Sequence, residues 1–144
     1  MKRAGAFAAV VLLALAWSAR GVRAQDLEQV LDRFASAWHR GDAAAIARLV
    51  SAKGVSIEIA GEQVGPLPIR QAAAVLKRLF DDRETTVVRA GLAQVVGGSP
   101  PRAFGEVVWT ARSRGTTESE NATIFLALVR ERDGWKINQI RLLR

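Results

Sequence analysis

The chain has 144 residues, with 21 Lys and Arg against 14 Asp and Glu, one His, no Cys and no Tyr. The absence of cysteine excludes structural disulfides, thiolate catalysis and a lipid-bearing cysteine. A lone histidine without cysteine leaves too few ligands for a zinc centre, and no cofactor-binding motif is present.

The basic surplus is concentrated at the start. Lys2 and Arg3 precede an apolar run from Ala4 to Trp17, 14 residues long. A helix that spans the bilayer core needs about 20 residues. This layout is that of a secretory signal peptide, with Val22-Arg23-Ala24 as the small-residue cleavage pattern. Arg20 and Arg23 follow the run and weaken its orientation signal. The expectation is residues 1–24 as a signal peptide, residues 25–144 as one domain, export to the periplasm or beyond, and no stable membrane anchor after cleavage. Residues 1–24 hold four of the 21 basic residues and no acidic ones, so the remainder carries 17 against 14, a net +3. The remaining Arg and Lys are scattered, and nucleic-acid binding is not expected.

In chain order, Asp26 to His39 has the apolar stripe of an amphipathic helix: Leu27, Val30, Leu31, Phe34 and Trp38. Gly41 supplies its left-handed stop, and Asp42 caps a second, short helix through Val50. Val55 to Ala60 alternates as a half-buried strand. Gly61 to Pro68 reads as turn chemistry, with Pro66 and Pro68 excluding regular structure. Ile69 to Asp82 is a third helix with Ala72, Val75, Leu76, Leu79 and Phe80 on one stripe.

From Glu84 the period changes to that of strands. Glu84–Val96 contains Gly91, which suggests a bulge. Arg102–Ser113 and Asn121–Arg130 follow, then a hairpin turn at Asp133-Gly134 and a last strand, Trp135–Leu143. In Thr123–Val129 both parities are apolar, which predicts cover on both faces and a homodimer through the sheet around Phe125. In the last strand, Trp135 and Ile137 have one parity and Ile140 and Leu142 the other. A bulge near Asn138-Gln139 would keep both pairs inward.

Two helices, a strand, a third helix and a run of long strands resemble the cone-shaped nuclear-transport-factor-2-like (cystatin-like, SnoaL-like) superfamily. Phe34 and Trp38, Gly41-Asp42-Ala43-Ala44, Gln71-Ala72 through Phe80, and Gly134-Trp135-Lys136-Ile137 with Ile140-Arg141 carry the likeness. Among subfamilies the chain looks most like domain of unknown function 4783. A Tyr-Ser pair common there before the third helix is missing near Pro68-Ile69-Arg70. The resemblance implies an α+β fold, with three N-terminal helices on a strongly curved antiparallel sheet. The superfamily includes isomerases, dehydratases and binding modules, so fold does not settle function.

Within that cone the candidate ligand-binding residues are Phe34, Trp38, Phe80 and Trp109 as apolar walls and Arg89 and Arg112 as cations, suited to a small apolar or anionic ligand. The same aromatics also read as a filled core. Glu106 shares parity with Phe104 and Val108 and is the one candidate general base; the alternative is a paired or rim carboxylate. A phenolic donor is lacking, so Trp109 or an Arg would have to stabilise an oxyanion. His39 reads as a surface residue at a helix end, within reach of Ser36. Asp81, Asp82 and Glu84 supply too few oxygens for a closed cation site. Pro100 and Pro101 spoil Gly97-Gly98-Ser99 as a phosphate cradle, and Asn121-Ala122-Thr123 fits a glycosylation sequon of little weight in a bacterial-looking chain. The leading expectation is a non-catalytic binding module for a small ligand or a protein partner. The alternatives are an isomerase- or dehydratase-type enzyme and a purely structural envelope protein.

Overall fold

A computed structural model describes residues 26–144. The expected signal segment, residues 1–24, lies outside the described residues. Helix α1 covers residues 26–39, α2 is Ala43–Ala47 and α3 is Ile69–Asp82. The strands are β1 Val55–Ile59, β2 Glu62–Leu67, β3 Arg83–Gly97, β4 Arg102–Ser113, β5 Ser119–Glu131 and β6 Gly134–Leu143. They form one open six-stranded sheet in the order β2-β1-β6-β5-β4-β3.

Local chemistry sets the helix boundaries. Gly41 takes φ +64°, its amide donates to the Trp38 carbonyl, and the Asp42 amide reaches back to Ala37. This double bond is the glycine C-cap that satisfies the last carbonyls of α1. Asp42 Oδ1 then accepts from the Ala45 amide at 3.0 Å and starts α2. The second helix is shorter than its apolar pattern predicts. Beyond Ala47 the chain leaves the helix for β6: Leu49 and Ser51 exchange backbone bonds with Ile137, and Val50 bridges to it in parallel.

Two further expectations are corrected. Residues 61–68 are not an irregular turn, because Glu62–Leu67 pairs antiparallel with β1. A strand at the edge of a sheet tolerates Pro66, since a missing N–H there costs no ladder bond. Nor is the sheet wholly antiparallel: β1 and β6 run parallel, Ser56 through Ile59 against Gln139 through Leu142. The remaining strand pairs are antiparallel.

The predicted bulges are present. β3 slips register against β4 between Ala90 and Ala93, around Gly91. In β6, Ala127 faces Gln139 while Leu128 faces Ile137, so Asn138 is the extra residue. That insertion switches parity and leaves Trp135, Ile137, Ile140 and Leu142 all buried.

One core lies between the helices and the inner face of the sheet. Leu27, Leu31, Phe34 and Trp38 of α1 and Ala72, Leu76 and Phe80 of α3 meet Val107 and Trp109 of β4, Ile124, Leu126 and Leu128 of β5, and the apolar residues of β6. The closest approach is at Gly105, where an added Cβ would lie 2.6 Å from Leu31 Cδ2. Only glycine admits α1 at this depth.

Candidate functional site

The interior of the cone is occupied by aromatic rings. Phe34 and Trp38 are one turn apart on α1, with ring centroids 5.3 Å apart. Trp38 stands edge-on to Phe80 at 5.0 Å and to Trp109 at 5.3 Å. All four are buried, and edge-to-face pairs of this kind add attraction beyond the area they bury. The Trp109 indole N–H donates to Thr85 Oγ1 at 2.9 Å, so it is already engaged and not aimed at a developing charge. The Trp38 Nε1 is buried without a hydrogen-bond partner among the described residues.

The structure thus brings together four of the six residues expected to line a ligand, and separates the two cations from them. Arg89 is opposite Val108, and Arg112 is opposite Glu84 in the β3–β4 ladder. Both belong to the outer parity, away from the aromatic cluster. The inner parity of β4 is Ala103, Gly105, Val107, Trp109 and Ala111, all buried. For the same reason Glu106 does not turn inward. It lies between Phe104 and Val108, each 41 % exposed, and forms no ion pair among the described residues. The small inner residues are the signal that decides the parity, because α1 needs them to pack close.

At the C-terminal ends of α1 and α3, beside the start of β3, a polar hollow of about 250 Å³ is lined by residues that include His39, Phe80, Asp81, Arg83, Glu84 and Arg114. Its charges are largely satisfied. Arg83 pairs with Glu120, and Arg112 reaches Glu84 at 3.0 Å. The hydrogen bonds from these arginines hold both carboxyls below the usual carboxylate range. Groups held ionised in this way make poor proton acceptors near neutral pH. Arg114 donates to the Phe80 carbonyl at 3.1 Å and closes the end of α3. His39 is exposed on the last residue of α1, and Ser36 accepts from Arg40 at 2.6 Å, not from His39. Asp81 lies near Lys77, and among the described residues no three His, Asp or Glu side chains converge as they would around a cation.

The outer face of the sheet is different. Phe104 and Phe125, on adjacent strands, have centroids 5.3 Å apart. Val108, Thr123 and Leu143 form the next row across β4, β5 and β6. Val108 and Leu143 are exposed, and Phe125, Ala127 and Val129 are half-buried. The ion pair of Arg141 and Glu58, 2.8 Å, borders this patch.

Comparison with solved structures places this architecture. A DUF4783 family protein from Bacteroides uniformis superposes with a TM-score of 0.62 at 12 % identity, over 78 % of this chain and 94 % of that one. The chain has the nuclear-transport-factor-2-like fold. A ketosteroid isomerase-like protein from Erwinia carotovora matches with a TM-score of 0.66 and 17 % identity, over 83 % and 94 %. An NTF-2 like protein of unknown function from Shewanella oneidensis matches with 0.60 and 16 %, over 82 % and 96 %. At these identities the likeness is one of fold. No family model matches the sequence, and no curated protein does.

Proposed function

We propose that this nuclear-transport-factor-2-like domain is an exported, non-catalytic binding module that works through the outer face of its sheet and takes a second copy of itself there. The observation that carries this reading is the filled cone. With Phe34, Trp38, Phe80 and Trp109 packed against one another, a contiguous apolar surface that remains on the outer face of the central strands is that of Phe104, Val108, Phe125 and Leu143. Strands apolar on both faces are expected to be covered on both.

The sheet edges favour a face contact over an edge contact. β2 carries Pro66, and the ladder of β3 is interrupted by three register shifts. Prolines and bulges are the devices that stop edges from pairing. A face-to-face, two-fold contact has no such obstacle.

The likeness to a ketosteroid isomerase-like protein raises an isomerase reading, which the chemistry does not favour. The chain has no tyrosine, Glu106 faces outward, and Ser51 is the one polar residue buried among those described.

Light scattering on the eluting protein at micromolar concentration tests the proposal. A dimer is expected for the wild type and a monomer for Phe104→Ser/Phe125→Asp with unchanged circular dichroism. A monomeric wild type, or a dimer that survives both substitutions, would overturn it. Mass spectrometry of protein recovered from an exporting host should report an N-terminus at Gln25; an intact Met1 would refute cleavage.

A further inference from the structure

Another hollow lies between the solvent face of α1 and the segment formed by α2 and its following turn. Its volume is about 440 Å³, within the range of small-molecule sites. The floor is apolar: Ala37 on α1 and Ala45 on α2, with Leu49 beside them. Alanines at these positions leave the groove unfilled. Arg33, Arg40 and Arg48 stand around it, against a single acid, Asp32.

What sets the hollow apart is the conjunction of unpaired arginines with an apolar floor. On the sheet, Arg83, Arg112, Arg130 and Arg141 each meet a carboxylate. Arg89 and Arg102, which meet none among the described residues, are exposed on their strands and do not line the hollow. In the hollow, Arg40 donates only to Ser36 Oγ. Arg33 and Arg48 have no hydrogen bond or ion pair among the described residues. Two unengaged guanidiniums beside an apolar floor complement an anion with an aliphatic body. Guanidinium suits a carboxylate in particular, because its parallel N–H groups match both oxygens.

We propose that the hollow between α1 and α2 binds a small amphipathic carboxylate, with the aliphatic part on Ala37, Ala45 and Leu49 and the carboxylate held by Arg33 and Arg48. The combination of apolar wall and cation that the sequence suggests for the cone thus occurs on its outside. This inference is independent of the sheet-face reading.

Titration of the protein with sodium octanoate, followed by calorimetry and by NMR of alanine and leucine methyls and arginine Nε–H groups, is the test. Saturable binding is expected, with shifts at Ala37, Ala45 and Leu49. Acetate, which keeps the head but loses the burial of the chain, and octanol, which keeps the chain but loses the charge-assisted bonds, should each bind at least about tenfold more weakly. Arg33→Gln/Arg48→Gln should weaken octanoate by about tenfold or more, and Arg132→Gln, in the β5–β6 turn, should not. Octanol binding as tightly as octanoate, shifts confined to the sheet, or indifference to the double substitution would overturn the proposal. Binding to phosphatidylglycerol vesicles without saturable octanoate binding would also overturn it, in favour of a membrane surface.

Discussion

The contact of Gly105 with Leu31 gives the sharpest test of how α1 is seated. An alanine at position 105 would place its Cβ 2.6 Å from Leu31 Cδ2, 2.9 Å from Cδ1 and 3.1 Å from Cγ. The favourable separation of two carbons is about 3.5–4.0 Å, so all three contacts are too short. A change of χ2 at Leu31 moves the two methyls but not Cγ, and a change of χ1, which would move Cγ, has little room because Leu31 is buried, so the helix or the strand must shift. Overpacking of this kind costs about 1–3 kcal/mol. Replacing glycine also shrinks the unfolded ensemble, which offsets about 0.4–1 kcal/mol. The net expectation for Gly105→Ala is a loss of about 1–2 kcal/mol, read by equilibrium urea denaturation. Leu31→Ala alone should cost about 2–5 kcal/mol, but in that background Gly105→Ala should be neutral or stabilising, because the obstructing atoms are gone. If Gly105→Ala were harmless in the wild type, or cost the same in both backgrounds, the close seating of α1 on β4 would be refuted.

Two other outcomes are expected. Ser51 Oγ donates to Glu131 Oε1 at 2.7 Å and accepts from the Lys53 amide at 3.2 Å, so Ser51→Ala should destabilise the fold by about 1–3 kcal/mol in denaturation experiments; a change within experimental error would show that this link contributes nothing. Glu84 and Glu120 have folded pKa values lowered from the usual carboxylate range because Arg112 and Arg83 bond their charged forms. Their stabilisation is therefore complete above the unfolded value and is lost as pH falls through the lowered folded one. Glu84→Gln/Glu120→Gln should flatten the decline of stability in acid, and a slope identical to that of the wild type would refute the assignment.

Much of the fold is legible in the residues, and the places where it is not have local physical causes. The three helical stripes, the Gly41 stop, the Asp42 cap and the Asn138 bulge each follow from a pattern that one element can satisfy alone. β2 hides because Pro66 within it and Pro68 just after it argue against a strand unless its edge position is known, and position in the sheet order is not a local property. The length of α2 fails similarly, since Leu49 to Ser51 are drawn to Ile137, far along the chain. The parity of β4 is the consequential case. Phe104 and Val108 look as suited to a core as Ala103 and Val107 do, and side-chain size favours the larger set, although Glu106 stands within it. The structure chooses the smaller set, because the depth of α1 leaves no room for more. That choice turns Glu106 outward and removes Arg89 and Arg112 from the aromatic cluster.

The same seating bears on the hollow outside the helices. A groove between two helices recognises a ligand well only if its walls hold their spacing without the ligand, since ordering them on binding would subtract from affinity. Here α2 is pinned at both ends. At its start, the amide of Asp42 is bonded to Ala37 and its side chain to the Ala45 amide; beyond its end, Leu49 and Ser51 are bonded to Ile137 in β6. α1 is in turn fixed to β4 by the fit of Leu31 over Gly105. Ala37 and Ala45, two of the three floor residues, therefore belong to elements whose relative placement is set by the backbone and the sheet, not by the side chains around the groove. Substitutions at Arg33 and Arg48 should then alter affinity without altering the shape of the site, which is the condition that lets binding and stability be read separately.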